Sequence, residues 1–400
     1  MKQRKAVTRE TLERYRRASR REKTRILEQY TKLTGYHRKY ALGLLNGTQG
    51  VRKASAIKER RGRPRIYTQS VLEALRLLWA MFNFMCGRRL APAIRVNLVV
   101  LEKFRELRGL DAHTREKLLC MSPATIDRLL ADERKKLRLK GRSHTRPGSL
   151  RRGLIPIRTF GKEDQKEPGF VEVDLVAHDG GSSRGEFAQT LTLTDVDTGW
   201  TEVRGVRNKA QKWVFPALKF LASLLPFGIK GLNADNGGEF INKNLLTWCQ
   251  DNHVAFTRSR PYRKNDNPYV EQKNNSVVRT AVGYMRYDTQ EQLRLLNQIY
   301  VQTRLLINFF YPSMKLLEKI RIGARVKKRY DVPKTPYQRV LDCLSIDEEA
   351  KEKLRRQFAE LNPAAISRTL ASLQAQLLKK ASLKQRLLDA DRAKALAAAG

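Results

Sequence analysis

Three acidic residues are placed where they could do chemistry together. Asp174 closes Val171-Glu172-Val173-Asp174, Asp235 follows the short run 229–234, and Glu271 enters a helix-like segment after an interval of 35 residues. Carboxylates offer only oxygen ligands, which suit hard cations such as Mg²⁺ or Mn²⁺ that keep several waters and take up substrate phosphate. Two such ions about 3.5–4 Å apart can activate an attacking oxygen and stabilise the leaving one in an in-line displacement at phosphorus. No protein nucleophile is then required. Asp174, Asp235 and Glu271 are therefore the candidate catalytic and metal-ligating residues.

The elements that must position them begin at Gly169, where the pattern changes from helical to strand-like. Three β-branched, alternating runs within 169–206 predict an antiparallel meander. Then come a helix at 209–225, a strand at 229–234, a helix at 239–252, a strand at 254–259 and a helix at 268–284. The order βββαβαβα is that of an α/β, ribonuclease-H-like fold, whose second half makes parallel crossovers. Asp174 then lies on the first strand and Asp235 at the carboxyl end of the fourth, where parallel sheets place their ligand crevices. Glu271 faces them from the last helix, on a face that Asn275 and Arg279 would share to hold a DNA end. Nearby polar residues have plainer readings. Asn236 and Gly237 suit a sharp turn, Glu239 a helix N-terminus, and Asp195 and Asp197 a strand-end turn. His178 shares the face of Asp174 by strand parity and reads as structural. Asp266 precedes the last helix and breaks the spacing of 35.

The rest of the chain is dominated by charge. Of 400 residues, 80 are Lys or Arg and 40 Asp or Glu, a formal net charge of +40. Such a surface seeks a polyanion, and double-stranded DNA is the leading partner because each neutralised phosphate releases counterions. A membrane is not expected, for there is no apolar run of about 18 residues and no apolar stretch behind Met1. A cytoplasmic protein follows as the expectation. Cys86, Cys120, Cys249 and Cys343 lie far apart without paired His spacing, which predicts free thiols and no zinc.

Length alone suggests roughly two to four domains. Residues 1–50 read as a helix-turn-helix-like unit, with a helix at 8–33, a break at Thr34-Gly35 and a short basic helix. Residues 51–66 form a basic linker whose Arg61, Arg63 and Arg65 resemble an AT-hook for a narrow minor groove. Residues 67–138 read as a second helical DNA-binding unit, with Ser122 as N-cap, Pro123 in the first turn and Arg128 on the reading helix. A second basic linker, 139–168, leads into the 169–287 core. Tyr262, Arg263 and Lys264 form a loop suited to strand contact. Beyond the core come a basic extension at 288–345 and a helical tail at 346–400, so the carboxyl-terminal region is expected to be mostly helical.

Asp174, Asp235-Asn236-Gly237-Gly238-Glu239-Phe240 and the block from Asn265 to Asn274 that contains Glu271 resemble the three catalytic blocks of integrase-core (DDE) transposases of bacterial insertion sequences, relatives of retroviral integrases. The resemblance spans 169–287 and reproduces that family's Asp-Asp-35-Glu spacing. It implies a DNA transposase that nicks transposon ends hydrolytically and joins the exposed 3′-hydroxyl to target DNA. It further implies a homo-oligomer that brings two ends together. One departure stands out: the His-His-Cys-Cys zinc module of retroviral integrases has no counterpart here. The competing readings are a nuclease of the same fold that cuts without joining, and a non-catalytic DNA-binding regulator. The complete set of three acids argues against the regulator, since DNA binding alone needs no acids facing phosphate.

Overall fold

The protein is described by a computed structural model that covers residues 2–47, 66–136, 167–235, 237–259, 267–322 and 325–398. Contacts divide the chain into two units, Met1–Ile66 and Tyr67–Gly400. In the first, α1 (Lys2–Arg17), α2 (Arg20–Thr34) and α3 (Arg38–Leu45) enclose a small core of Tyr15, Leu27, Tyr30, Ala41 and Leu45. The single helix expected over 8–33 is two helices. Ser19 starts the second, and Glu22 reaches back to accept a hydrogen bond from the Ser19 N–H at 2.9 Å. That reciprocal pairing of Ser and Glu is a helix-start signature readable in the sequence. Gly35 closes α2 with φ of +71°, a conformation glycine adopts without a Cβ penalty.

The second unit opens with α4 (Gln69–Met81), α5 (Gly87–Lys103), α6 (Ala112–Cys120), α7 (Pro123–Leu129) and α8 (Ala131–Lys136). Ser122 caps α7 by accepting from the Thr125 N–H at 3.2 Å. Gly87 lets α7 come close, since a Cβ there would run into the Pro123 carbonyl. The sequence suggests that 67–138 stands as a unit of its own, but the structure merges it with the sheet and the carboxyl-terminal helices. Leu75, Leu78, Ile94 and Leu98 belong to one continuous core with Trp200, Ile299, Phe309 and Phe310. Asn97 and Arg89 tie α5 to the carbonyls of Phe310 and Pro312 at 3.0 and 3.1 Å.

The central sheet contains β1 (Phe170–Ala177), β2 (Gln189–Asp195), β3 (Thr201–Val206), β4 (Gly231–Ala234) and β5 (Ala255–Arg258), in the spatial order β3-β2-β1-β4-β5. β1, β2 and β3 pair antiparallel, whereas β4 runs parallel to β1 and β5 parallel to β4. Strand alternation gives the sheet two unlike faces. Val171, Val173, Leu191, Leu193, Leu232 and Phe256 form the apolar face, covered by α9 (Gln211–Ser223) and α10 (Lys243–Asp251). The opposite face carries Glu172, Asp174, Thr192, Thr194, Asn233 and Thr257. Over it lie α11 (Pro268–Lys273), a π turn at Asn274–Arg279, α12 (Thr280–Val282) and α13 (Gln290–Leu305). The βββαβαβα order is therefore present, with two local differences. The helix expected from 239 starts at Lys243, where Asn242 caps it through the Leu245 N–H at 2.9 Å. The helix expected over 268–284 is interrupted by the π turn.

A second π turn, Leu306–Phe310, follows α13, and Asn308 there bonds both the N–H and the carbonyl of Thr201 at 2.9 Å. The carboxyl-terminal region is not all helical. Strands β6 (Leu316–Ile322) and β7 (Arg325–Tyr330) pair as an antiparallel ribbon before α14 (Pro336–Asp342), α15 (Glu348–Glu360) and α16 (Pro363–Ala398). Among the described residues, no helix is long and apolar enough to cross a membrane.

Candidate active site

Asp174 in the middle of β1 and Asp235 just past the carboxyl end of β4 come to neighbouring positions, because the two strands run parallel in register from Phe170↔Gly231 to Val173↔Ala234. Each carboxylate is held by one oxygen or both, with lone pairs to spare. Asp174 Oδ1 accepts from the Leu175 N–H at 2.8 Å, and its Oδ2 accepts from Asn274 Nδ2 at 2.6 Å. Asp235 Oδ1 accepts from the Gly237 N–H at 2.9 Å. Burial pushes the Asp174 carboxyl up to about 7, with repulsion from Asp235 adding to it. Burial also raises Asp235. Two buried acids in one crevice, one raised further by the charge of the other, mark a place where positive charge is wanted.

Glu271 lies in the first turn of α11, exposed, with its N–H on the Asn267 carbonyl at 3.1 Å. Its charge raises both Asp174 and Glu172, so it stands close to that crevice. Glu239 is drawn in as well. Its side chain folds over Gly237, where a Cβ would meet the carboxyl carbon at 2.6 Å, and its carboxyl is raised by burial and then by Asp235. The sequence reading as a helix-start acid differs from this place in the turn before α10.

Residues 164–264 match a family model described as the integrase core domain. Asp174 and Asp235 fall inside that stretch and Glu271 just past its end. An uncharacterized protein from Sinorhizobium fredii, y4rM, is 43% identical over 328 residues, covering 82% of this chain and 92% of its own length. The chain belongs to the integrase-core family. Solved structures that resemble it include the catalytic core domain of BIV integrase, with 14% identity, 44% of this chain and 94% of that chain covered, and a TM-score of 0.30. The HTLV-2 integrase catalytic core domain in complex with magnesium gives 14%, 36%, 90% and 0.28. At those scores the two likenesses add nothing to the assignment.

Of the other expected contact residues, Asn275 and Arg279 of this integrase core and Arg128 before it are described. Asn275 is exposed, while its neighbour Asn274 meets Asp174. The wider turn that begins at Asn274 carries Asn275 outward. Arg279 donates to the Ala177 carbonyl at 2.8 Å and lies over the Tyr284 ring, tying the helix to β1. Arg128 is exposed on α7 and donates to Thr125 Oγ1 at 3.1 Å. Arg61, Arg63, Arg65, Arg263 and Lys264, like Asn236 and Asp266, lie outside the described residues. His178 is fully buried, bonds Thr190 Oγ1 at 2.7 Å and is lowered to about 3 by burial, so it serves as a neutral strut. Asp195 is spent on its turn, accepting from the Gly169 and Thr198 N–H groups at 2.8 and 2.7 Å.

Three polar atoms on this face are buried without a partner: Glu172 Oε1, Thr192 Oγ1 and Asn274 Oδ1. Thr192 is the register partner of Asp174. Buried polar atoms are normally satisfied, so orphans gathered around these two buried carboxylates fit a hydrated cation. Among the described residues no three of His, Cys, Asp and Glu form a ready-made metal cage, so a cation here would start from the pair Asp174 and Asp235 and draw in Glu271 from α11. Glu172, two residues before Asp174 on the same face of β1, is an acid of this site that the sequence pattern does not single out.

Proposed function

We propose that this protein is a DNA transposase that nicks the ends of a mobile element and joins the exposed 3′-hydroxyls to target DNA. The observation that carries the reading is the pair Asp174 and Asp235, at neighbouring positions on the adjacent parallel strands β1 and β4 of an integrase core, with Glu271 on the covering helix. These three would hold one or two divalent cations, Mg²⁺ or Mn²⁺. Bound there, such ions would favour ionisation of the attacking hydroxyl and offset charge at phosphorus.

The chain's own groups supply orientation. Asn274 and the Leu175 N–H fix the plane of the Asp174 carboxylate, and the Gly237 N–H fixes that of Asp235. In the first reaction a water oxygen bonds to phosphorus as the P–O3′ bond breaks, which leaves a 3′-hydroxyl and a 5′-phosphate. In the second that hydroxyl attacks a target phosphodiester and displaces the target's 3′-oxygen. Because two ends must be joined, the active species is a homo-oligomer.

Duplex DNA is engaged through cationic surface. The β6–β7 ribbon carries Arg321, Lys327, Lys328 and Arg329 beside exposed Leu317, Ile320, Ile322 and Val326. A major groove about 12 Å wide admits a two-stranded ribbon. The deciding experiment supplies a nicked donor with a free 3′-hydroxyl and a target duplex. Wild-type protein should yield joined products that need Mg²⁺ or Mn²⁺, and folded Glu271→Gln protein should lose at least about 100-fold in both nicking and joining. Cutting without joining would instead indicate a nuclease, and full activity in Glu271→Gln would remove Glu271 from the site.

A further inference from the structure

Glu172 is an unusual residue to find at the centre of a sheet. It is 0% exposed, and among the described residues no Lys or Arg acts on it. A buried carboxylate without a cation is tolerated only where hydrogen bonds compensate it. Both of those bonds come from one place. Glu172 Oε2 accepts from the Tyr269 N–H at 2.9 Å and from the Val270 N–H at 2.8 Å.

Those two donors belong to the first turn of α11, directly before Glu271. A helix start leaves its first N–H groups without intrahelical partners, and an Asn at the N-cap would ordinarily accept from one of them. Asn267 holds that position but does not cap, because its Oδ1 takes a hydrogen bond from Asn233 Nδ2 instead. Pro268 has no N–H to satisfy. The Glu271 N–H already bonds the Asn267 carbonyl. A single oxygen from β1 therefore does the capping that the helix does not do for itself.

The anchor is rigid from below. Glu172 is the register partner of Asn233, and Asn233 Oδ1 accepts from Thr257 Oγ1 at 3.0 Å, so a polar row crosses β1, β4 and β5 beneath the helix start. It is paired from above by the Asn274–Asp174 bond one turn later. Glu271 is thus bracketed by two ties to the strand that carries Asp174. We propose that Glu172 is a positioning residue, whose carboxylate holds the first turn of α11 so that Glu271 remains in reach of the crevice formed by Asp174 and Asp235. This rests on the reading of those three acids as the cation site.

The test uses the full chain and Mn²⁺ alone, read as the rise in melting temperature against cation concentration, with DNA nicking measured in parallel. Glu172→Gln keeps an acceptor oxygen at the same reach, Glu172→Asp keeps the carboxyl group but is one methylene short, and Glu172→Ala removes both. Expected are a half-saturating Mn²⁺ concentration within about threefold of wild type for Glu172→Gln and a rise of about tenfold or more for Glu172→Asp and Glu172→Ala. Nicking should follow the same order, and affinity for duplex DNA without cation should not change. Should Glu172→Ala fail to fold, the Gln and Asp variants decide. Wild-type cation response in Glu172→Asp overturns the proposal, and so does a Gln variant as defective as Asp, which would make charge rather than capping the requirement. Glu271→Gln is run alongside: if it responds to Mn²⁺ as wild type does, the cation site itself is misassigned, whereas a defective Glu271→Gln beside a normal Glu172→Asp removes only the positioning role.

Discussion

Asp174 is buried beside the charge of Asp235, and that placement gives the site a pH signature. The Asp174 carboxyl is pushed up to about 7, chiefly by burial. For an acid raised in this way, the stability it contributes is complete below its unfolded value of about 3.9 and is lost as the pH climbs through the folded value. A divalent cation can replace the proton that leaves. The Mn²⁺-induced rise in melting temperature should therefore be larger at about pH 8 than at about pH 6, by several degrees, and Asp174→Asn should abolish the difference. An equal rise at both values would mean that the cation binds elsewhere. That Asp174 and Asp235 come to neighbouring strands is legible in the sequence, because the strand pattern around them survives there. Asn274 is not, since a π turn leaves no mark on side-chain periodicity, and helical spacing points to Asn275 instead. Glu172 is hidden too, for a polar residue alternating in a strand normally reads as solvent-facing.

The ribbon makes the case at the level of an element. Its strands are hard to read because cations fill successive positions Lys327, Lys328 and Arg329 on β7, and a register shift between Leu316 and Glu318 breaks the alternation on β6. The stretch is legible only as basic. Once paired, β6 and β7 put Ile320 opposite Lys327 and Arg321 opposite Val326, so cations and aliphatic side chains share both faces. Exposed positions of this kind tolerate substitution at about 0.5 kcal/mol or less, which makes binding separable from folding. Replacing Lys327, Lys328 and Arg329 together by Ala should lower the slope of log Kobs against log salt by about 2–3, near 0.9 for each phosphate no longer neutralised. Melting temperature and Mn²⁺ response should stay at wild-type values. An unchanged salt slope would take the ribbon off the DNA.

For the whole molecule, the decisive feature is where the chain can be cut. A sequence reading places boundaries by composition, and the basic stretches on either side of residues 67–138 invite one there. Side-chain packing cannot be read that way. Asn308 reaches back to Thr201 across the sheet edge, Trp200 packs edge-on against Phe309 at 5.5 Å, and α5 bonds the chain at Phe310 and Pro312. The α/β core at 169–287 therefore lacks part of its own hydrophobic interior. Losing partners for several large buried side chains costs about 3–5 kcal/mol for each aromatic group removed, a large share of the usual 5–15 kcal/mol of total stability. Residues 67–400, which form one unit, should fold alone with a cooperative melt and keep the Mn²⁺ response of the full chain. They should also nick generic duplex DNA, since the proposed cation site lies wholly within them. Residues 169–287 alone should be insoluble or molten, seen as far-UV circular dichroism without a cooperative transition. A sharp melt from that fragment would show that the flanking helices decorate the core rather than complete it.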